Sequence, residues 1–256
     1  MELFFEYDLN RLRAYSQIKG NQNRIHILEE ENFMAFCFPS VSYFNYAFSK
    51  NNQPLNLQEF LSIKKFYRDR DISLHKFIGL SGLYDNSFLS SLRYHKKNVI
   101  SQTKYSFNQQ ATSNYQFTSV FEEVTDSELM LFTQTYLEGF NAIDRDVKEV
   151  YDNFVGLYSM PGTKLYLVKN EHDIMGIVVL YELNHHYFLA AGAILPKYQG
   201  HNHHKAGIMM RINKCLLDPN LNSIISWAYK GSVSHHNMNR LNLIDLNEFD
   251  NYEFTV

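Results

Sequence analysis

The stretch YFLAAGAILPKYQGHNHHKAGIMMRINKC, residues 187–215, commits the chain to a strand that hands over directly to a helix. An apolar run suited to a buried strand stops at Leu195 and Pro196, a polar loop surrounds Gly200, and residues of good helix propensity follow. Such a handover leaves the N–H groups of the first helical turn without partners, and the helix dipole adds partial positive charge to them. That geometry can hold a phosphate, and it also occurs as an ordinary α/β connection. Gly200 permits close approach of a ligand, Asn202 tolerates left-handed backbone angles, and Lys197 and Lys205 supply local cations.

At 256 residues the chain exceeds the usual size of one domain, and 20 Phe with 18 Tyr give it ample material for a core. A formal net charge of -3 provides no global basic field, so neither nucleic acid nor an acidic membrane is an expected partner. Cys37 and Cys215 lie far apart without metal-type spacing, which fits reduced thiols in a cytoplasmic protein. The first residues, MELFFEYDLNRLR, lack the pattern of a secretory signal, and IMGIVVLY is too short to span a bilayer.

The polar, aperiodic residues 109–116 separate two patterned regions, so the boundary is expected there, dividing the chain into residues 1–115 and 116–256. In the second region a strand over FTSVFEEV precedes helices over SELMLFTQTYLEGF and DVKEVYDNFVGLYSM, and then strands over TKLYLVKN, IMGIVVLYEL and YFLAAGAIL. A helix from about His203 to Leu217, a strand SIISWAYK, a short helix SVSHHNMNRL and a strand FDNYEFTV complete it. The first region repeats the tail of that order. Strands are expected in IHILEEENFMAFCF and SYFNYAFSK, then a helix capped by Asn56, a strand SLHKFIGL, a helix DNSFLSSLRYHKK and a strand VISQTKYSFN. The fold class is α/β in the α+β sense, a mixed central sheet flanked by helices, built as a tandem pair.

Two segments carry a family resemblance. AAGAILPKYQGHNHHKAGIMMR resembles the coenzyme A motif of the GCN5-related N-acetyltransferases, in which a strand and Pro-x-Tyr lead through a Q/R-x-x-G-x-G/A loop into a helix. Gln199 and Gly200 match, whereas Asn202 stands at the central glycine and His204 where glycine or alanine is common. GSVSHHNMNRLNL is similar to the family's S-x-x-N-x-x-R-x-G-F segment, with Ser234, Asn237 and Arg240 in register and Asn242-Leu243 in place of Gly-Phe. The resemblance covers about 140 residues from Phe117 onward, and the first half resembles the divergent N-terminal half of two-domain members.

The resemblance implies an acetyl-coenzyme A dependent transfer to an amine. The acyl-pantetheine arm is expected along Ala193, Ile194 and Leu195, and the pyrophosphate on backbone N–H groups of Gly200, His201, Asn202, His203, His204 and Lys205 beside Gln199. Asn237 is expected to face the coenzyme. The amine would attack the thioester directly, with an oxyanion held at a strand bulge and a carboxylate, His or water as base. The family's tyrosine acid falls on Met238, so Ser234, the nearest hydroxyl, is the catalytic candidate. The acceptor would be selected by the first helices, residues 132–152, and the N-terminal half.

Three readings are set against each other: the transferase, a catalytically silent coenzyme-binding relative, and a metal protein using His201, His203, His204, His235 and His236. Those histidines lack an i, i+4 pair or nearby Cys, so no metal is expected and they are read as solvent-facing. His185 and His186 are assigned to an exposed turn, Glu122 and Glu123 to a solvated loop, Trp227 and Tyr229 to packing, and Tyr198 to a place beneath the loop.

Overall fold

The computed structural model describes residues 1–107 and 119–255, and the boundary expected over residues 109–116 lies outside them. In the first half, α1 (Leu3–Gln17) precedes the hairpin β1 (His26–Glu29) and β2 (Phe33–Cys37), then β3 (Tyr46–Ser49), α2 (Leu57–Arg68), β4 (Lys76–Leu80), α3 (Asn86–Ser91) and β5 (Tyr94–Tyr105). The second half runs β6 (Val120–Glu123), α4 (Leu129–Gly139), α5 (Val147–Ser159), β7 (Thr163–Lys169), β8 (Ile174–Leu183), β9 (His186–Ile194), α6 (His203–Cys215), β10 (Ser223–Tyr229), α7 (Val233–Asn239) and β11 (Leu243–Phe254).

The halves correspond element by element from each first hairpin onward. In both, the third strand pairs in parallel with the fourth, β3 with β4 and β9 with β10, while β5 and β11 carry nearly the same alternation of exposed and buried residues over twelve positions. The repeat expected from the order of elements is therefore a repeat of topology.

All the strands share one sheet in the order β1-β2-β3-β4-β11-β5-β10-β9-β8-β7-β6. The last strand of each half is inserted into the other. β5 lies antiparallel between β11 and β10, and β11 lies antiparallel between β4 and β5. The two halves thus exchange strands at the centre of the sheet.

Period-two alternation decides which face each side chain covers. On β8, Ile177, Val179 and Tyr181 join a core shared with α1, α4 and α5, whereas Met175, Val178 and Leu180 point to a core under α6 and α7. On β2, Met34 and Phe36 join the shared core, and Phe33, Ala35 and Cys37 pack under α2. The shared core spans both halves and makes α1 a lid over the middle of the sheet.

Three expectations need correction. The helix α1 was not anticipated, because its polar Asn10, Arg11 and Arg13 obscure the apolar face formed by Phe4, Phe5, Leu9 and Leu12. The helix expected through Lys97 ends at Ser91, where Arg93 takes a left-handed φ of 64° and releases the chain into β5. The final strand starts at Leu243 and not at Phe249; its exposed Asp245 and half-buried Asn247 mask the period. Asn56 does cap α2, accepting from the N–H of Gln58 and Glu59 in a capping box closed by Glu59.

Candidate functional site

The opening forms where β9 leaves its parallel neighbour. Pairing with β10 covers only His186, Tyr187 and Phe188, after which the two strands part. Across β8 the register shifts between Val178 and Leu180: Val178 faces Gly192 and Leu180 faces Leu189, so Ala190 and Ala191 stand opposite Val179 alone. This is a bulge of the kind that re-aims backbone groups toward a ligand.

A buried cation sits in that bulge. Arg211 of α6, 1% exposed, donates from Nη1 to the carbonyls of Val179 (2.8 Å) and Ala191 (3.3 Å), and from Nε to Gly207 (3.0 Å). A Cβ on Gly192 would stand 3.3 Å from its Nη2, so this glycine makes room for the guanidinium. Burial pushes the Arg211 pKa down to about 10, which leaves it charged at neutral pH. Nothing in the sequence singled Arg211 out from other helix arginines.

At the outer end of the opening, residues 196–198 make a 3-10 turn and Gln199 Nε2 donates to the Ile194 carbonyl at 3.1 Å. Gly200 has φ +84° with nothing within 4 Å of a Cβ, and Asn202 has φ 66°, the left-handed conformation anticipated for it. Asn202 caps α6 without a side-chain hydrogen bond. The backbone N–H groups of residues 200–204 have no backbone acceptor among the described residues. These groups and the open space above Gly200 fit a pyrophosphate.

The histidines divide. His201 is exposed, as expected, and His203 Nδ1 meets Ser119 Oγ at 2.9 Å. His204, expected to face solvent, turns inward: Asn237 Nδ2 donates to its Nδ1 at 3.1 Å, joining the helix after β9 to the helix after β10. Burial and the Arg211 charge hold its pKa down near 4, so the ring is neutral. His235 is spent on Asp245 Oδ1 (2.8 Å) and the Gly231 N–H (3.1 Å). Among the described residues no three His, Cys, Asp or Glu side chains converge as metal ligands.

Behind the opening lies a cavity of about 520 Å³. Its walls include Ala190, Ala191 and Gly192 of the bulge with His204 and Arg211, so the expected site at Ala193, Ile194 and Leu195 lies just beyond it, on the buried end of β9. Ser234 and Met238 both line it from α7. Lys205 is buried at 9% exposure under the loop. Trp227 packs on Phe4 at 4.7 Å yet also faces the cavity, and Tyr229, expected to be packed, is 50% exposed at its rim. Glu122 and Glu123 lie on β6, paired with Lys169 and Lys164, and take no part. His185 and His186 are exposed, bonded to Asp218 and Ser223.

The opposite wall comes from α1, which contributes Phe4, Tyr7, Asp8 and Arg11. Asp8 is 2% exposed and accepts from the Tyr46 hydroxyl at 2.8 Å. Burial outweighs the nearby Arg11 charge and pushes its pKa up to about 6. The Tyr7 hydroxyl is buried without a hydrogen-bond partner among the described residues. The Arg11 guanidinium lies between the rings of Phe44 (5.2 Å) and Phe154 (5.4 Å), with Nε donating to Asn153 Oδ1 at 2.6 Å. These residues could have been found only by recognising α1 as a helix of the site.

The sequence matches no family model and no curated protein. Solved structures do match over more than nine-tenths of the chain. A GCN5-related N-acetyltransferase from Kribbella flavida aligns at 9% identity over 96% of this chain and 95% of its own, with a TM-score of 0.64. A functionally unknown conserved protein from Staphylococcus epidermidis ATCC 12228 aligns at 13% identity over 93% of this chain and 98% of its own, TM-score 0.63. A tandem protein of the same acetyltransferase type from the clavulanic acid biosynthesis pathway aligns at 9% identity, 96% and 92% coverage, TM-score 0.57. The chain has the two-domain GCN5-related N-acetyltransferase fold.

Proposed function

We propose that this chain is an acyl-coenzyme A dependent N-acetyltransferase acting on a small amine. The observation that carries the reading is the parting of β9 from β10 beside a bulge, with the bare N–H groups of residues 200–204 at one end and the cavity at the other. Bound acetyl-coenzyme A would supply an activated acyl thioester. Gly200 to Lys205 would hold its pyrophosphate, Gln199 would brace the loop, and Ala193 to Leu195 with Asn237 would border the pantetheine arm. Arg211 keeps a positive charge at the bulge, where it would favour negative charge developing on a carbonyl oxygen. Neutral His204 adds no competing charge there. Ser234 is the hydroxyl offered to the leaving thiolate, itself a fair leaving group. In this reading residues 1–115 form the acceptor-side half and 116–256 the coenzyme-side half. A cytoplasmic location fits, since Cys37 and Cys215 are free and buried.

A second reading, a silent coenzyme-binding relative, is favoured by one observation: Met238 occupies the cavity wall where a tyrosine acid would be expected. Thermal unfolding with and without millimolar acetyl-coenzyme A tests both. A ligand at 100 times its Kd stabilises by about 2.7 kcal/mol, and an unmoved midpoint would sink both readings. Free-thiol release with an amine panel then separates enzyme from binder.

A further inference from the structure

The acceptor wall carries charges that the transfer reaction alone does not require. Arg11 makes no ion pair among the described residues, and its one side-chain hydrogen bond uses Nε, so its two terminal nitrogens are left without protein acceptors. Phe44 and Phe154, with ring centroids 5.2 and 5.4 Å from its Cζ, and the Nε bond to Asn153 hold the guanidinium in place, and a guanidinium presents a fork suited to a planar anion. Arg145, also without a carboxylate partner among the described residues, reaches the same place from the segment between α4 and α5: both arginines line the large cavity and a niche of about 20 Å³ next to it, bordered by Tyr43, Tyr136 and Asn153. A niche of that volume has room for about one water molecule, which suits a carboxylate oxygen better than a phosphate. An anion held where both guanidiniums line the cavity would be attracted by each of them.

Asp8 stands one turn before Arg11 on the same helix, so the two side chains rise from neighbouring points on the cavity wall, with Cβ atoms roughly 5–6 Å apart. A buried carboxylate with a single hydrogen bond is as expensive as the unpaired arginines, and of opposite sign. Phe4, Phe140 and Trp227 add apolar stretches to a wall that also carries Tyr7, Tyr136, Ser232 and Ser234.

We infer that the acceptor is a zwitterionic small molecule, an amino acid or close analogue, whose carboxylate lies between Arg11 and Arg145 and whose ammonium group lies against Asp8. This rests on the acyl-transfer reading for the fate of the amine, but the binding geometry stands apart from it. An amine without the carboxylate would leave both arginines unpaired in the occupied cavity, and an acid without the amine would leave Asp8 unpaired.

The test is calorimetry on the full chain saturated with coenzyme A, using matched pairs that differ only in the carboxylate: phenylalanine against phenethylamine, and γ-aminobutyric acid against propylamine. At least one carboxylate-bearing member should bind ten times more tightly than its partner, and Arg145→Ala, at an exposed position, should narrow that ratio below twofold. Equal affinities within every pair, no binding by any member, or a ratio unchanged in Arg145→Ala would overturn the assignment. The two readings fail separately. Stabilisation by acetyl-coenzyme A without any pair preference removes the zwitterion and keeps the transferase; a pair preference without coenzyme stabilisation does the reverse.

Discussion

Gly156 of α5 lies against the backbone of Tyr15 of α1: a Cβ on it would stand 2.9 Å from the Tyr15 nitrogen and 3.1 Å from its Cα. Both neighbours are main-chain atoms that cannot rotate away. Gly156→Ala should therefore push α1 off α5, costing about 1–3 kcal/mol of stability and carrying Asp8 and Arg11 out of register with the bulge. Chemical denaturation and acceptor binding, measured on one preparation, should fall together; full stability with intact binding would mean that α1 has freedom the packing does not suggest.

Asp8 gives a signed pH dependence. Its pKa rises from 3.8 to about 6 on folding, so the fold prefers the protonated form: no penalty below pH 3.8, a growing one between 4 and 6, and a constant deficit of roughly 3 kcal/mol above. Asp8→Asn should melt at a higher temperature than the parent at pH 8 and at nearly the same temperature at pH 4, while binding the acceptor more weakly. A difference independent of pH would remove Asp8 as its source.

His75 gives the opposite sign. It is stacked between Tyr67 (4.1 Å) and Phe254 (4.6 Å), and burial lowers its pKa from 6.5 to about 3. The stability this group provides is complete above pH 6.5 and drains as pH falls toward 3, by roughly 3 kcal/mol at pH 4. His75→Phe keeps the stacking and binds no proton, so urea midpoints between pH 7 and 4.5 should fall less steeply than in the parent, offset throughout by the lost hydrogen bond to Tyr94 (2.8 Å).

Asn202 holds φ 66° at the start of α6. Asn202→Gly should fold normally and keep or tighten acetyl-coenzyme A binding, whereas Asn202→Val should cost about 1–2 kcal/mol and weaken it. A tenfold loss of affinity in the glycine variant, read by calorimetry, would show that this loop does not hold the pyrophosphate.

Local signals made the strand-to-helix loop readable: Pro196, Gly200 and Asn202 have backbone properties that a single sequence displays, and the structure gives Asn202 the left-handed φ it was expected to tolerate and Gly200 a positive φ as well. The apolar run of β8 was equally plain, since burial on both faces leaves no alternation to interpret. What stayed hidden depends on contacts between distant residues. Arg211 reads as an ordinary helix cation until the bulge of β9 wraps around it. His204 reads as a loop histidine until Asn237 draws it inward. Asp8 and Arg11 fall in a helix whose polar side chains face a cavity, where polarity cannot be told from ordinary solvent exposure.

The exchanged strands shape how such a chain can be made. β4 and β5 leave the ribosome early, yet the strand that separates them, β11, begins only at Leu243. Until the second half arrives, β4 has one unpaired edge and β5 has no strand partner on either side, and these edges can pair with each other or with a neighbouring polypeptide. The sheet closes late and through contacts of long sequence separation, a route that is slow and exposed to aggregation. A gene fragment encoding either half alone, deprived of the strand it receives from the other, should yield insoluble product.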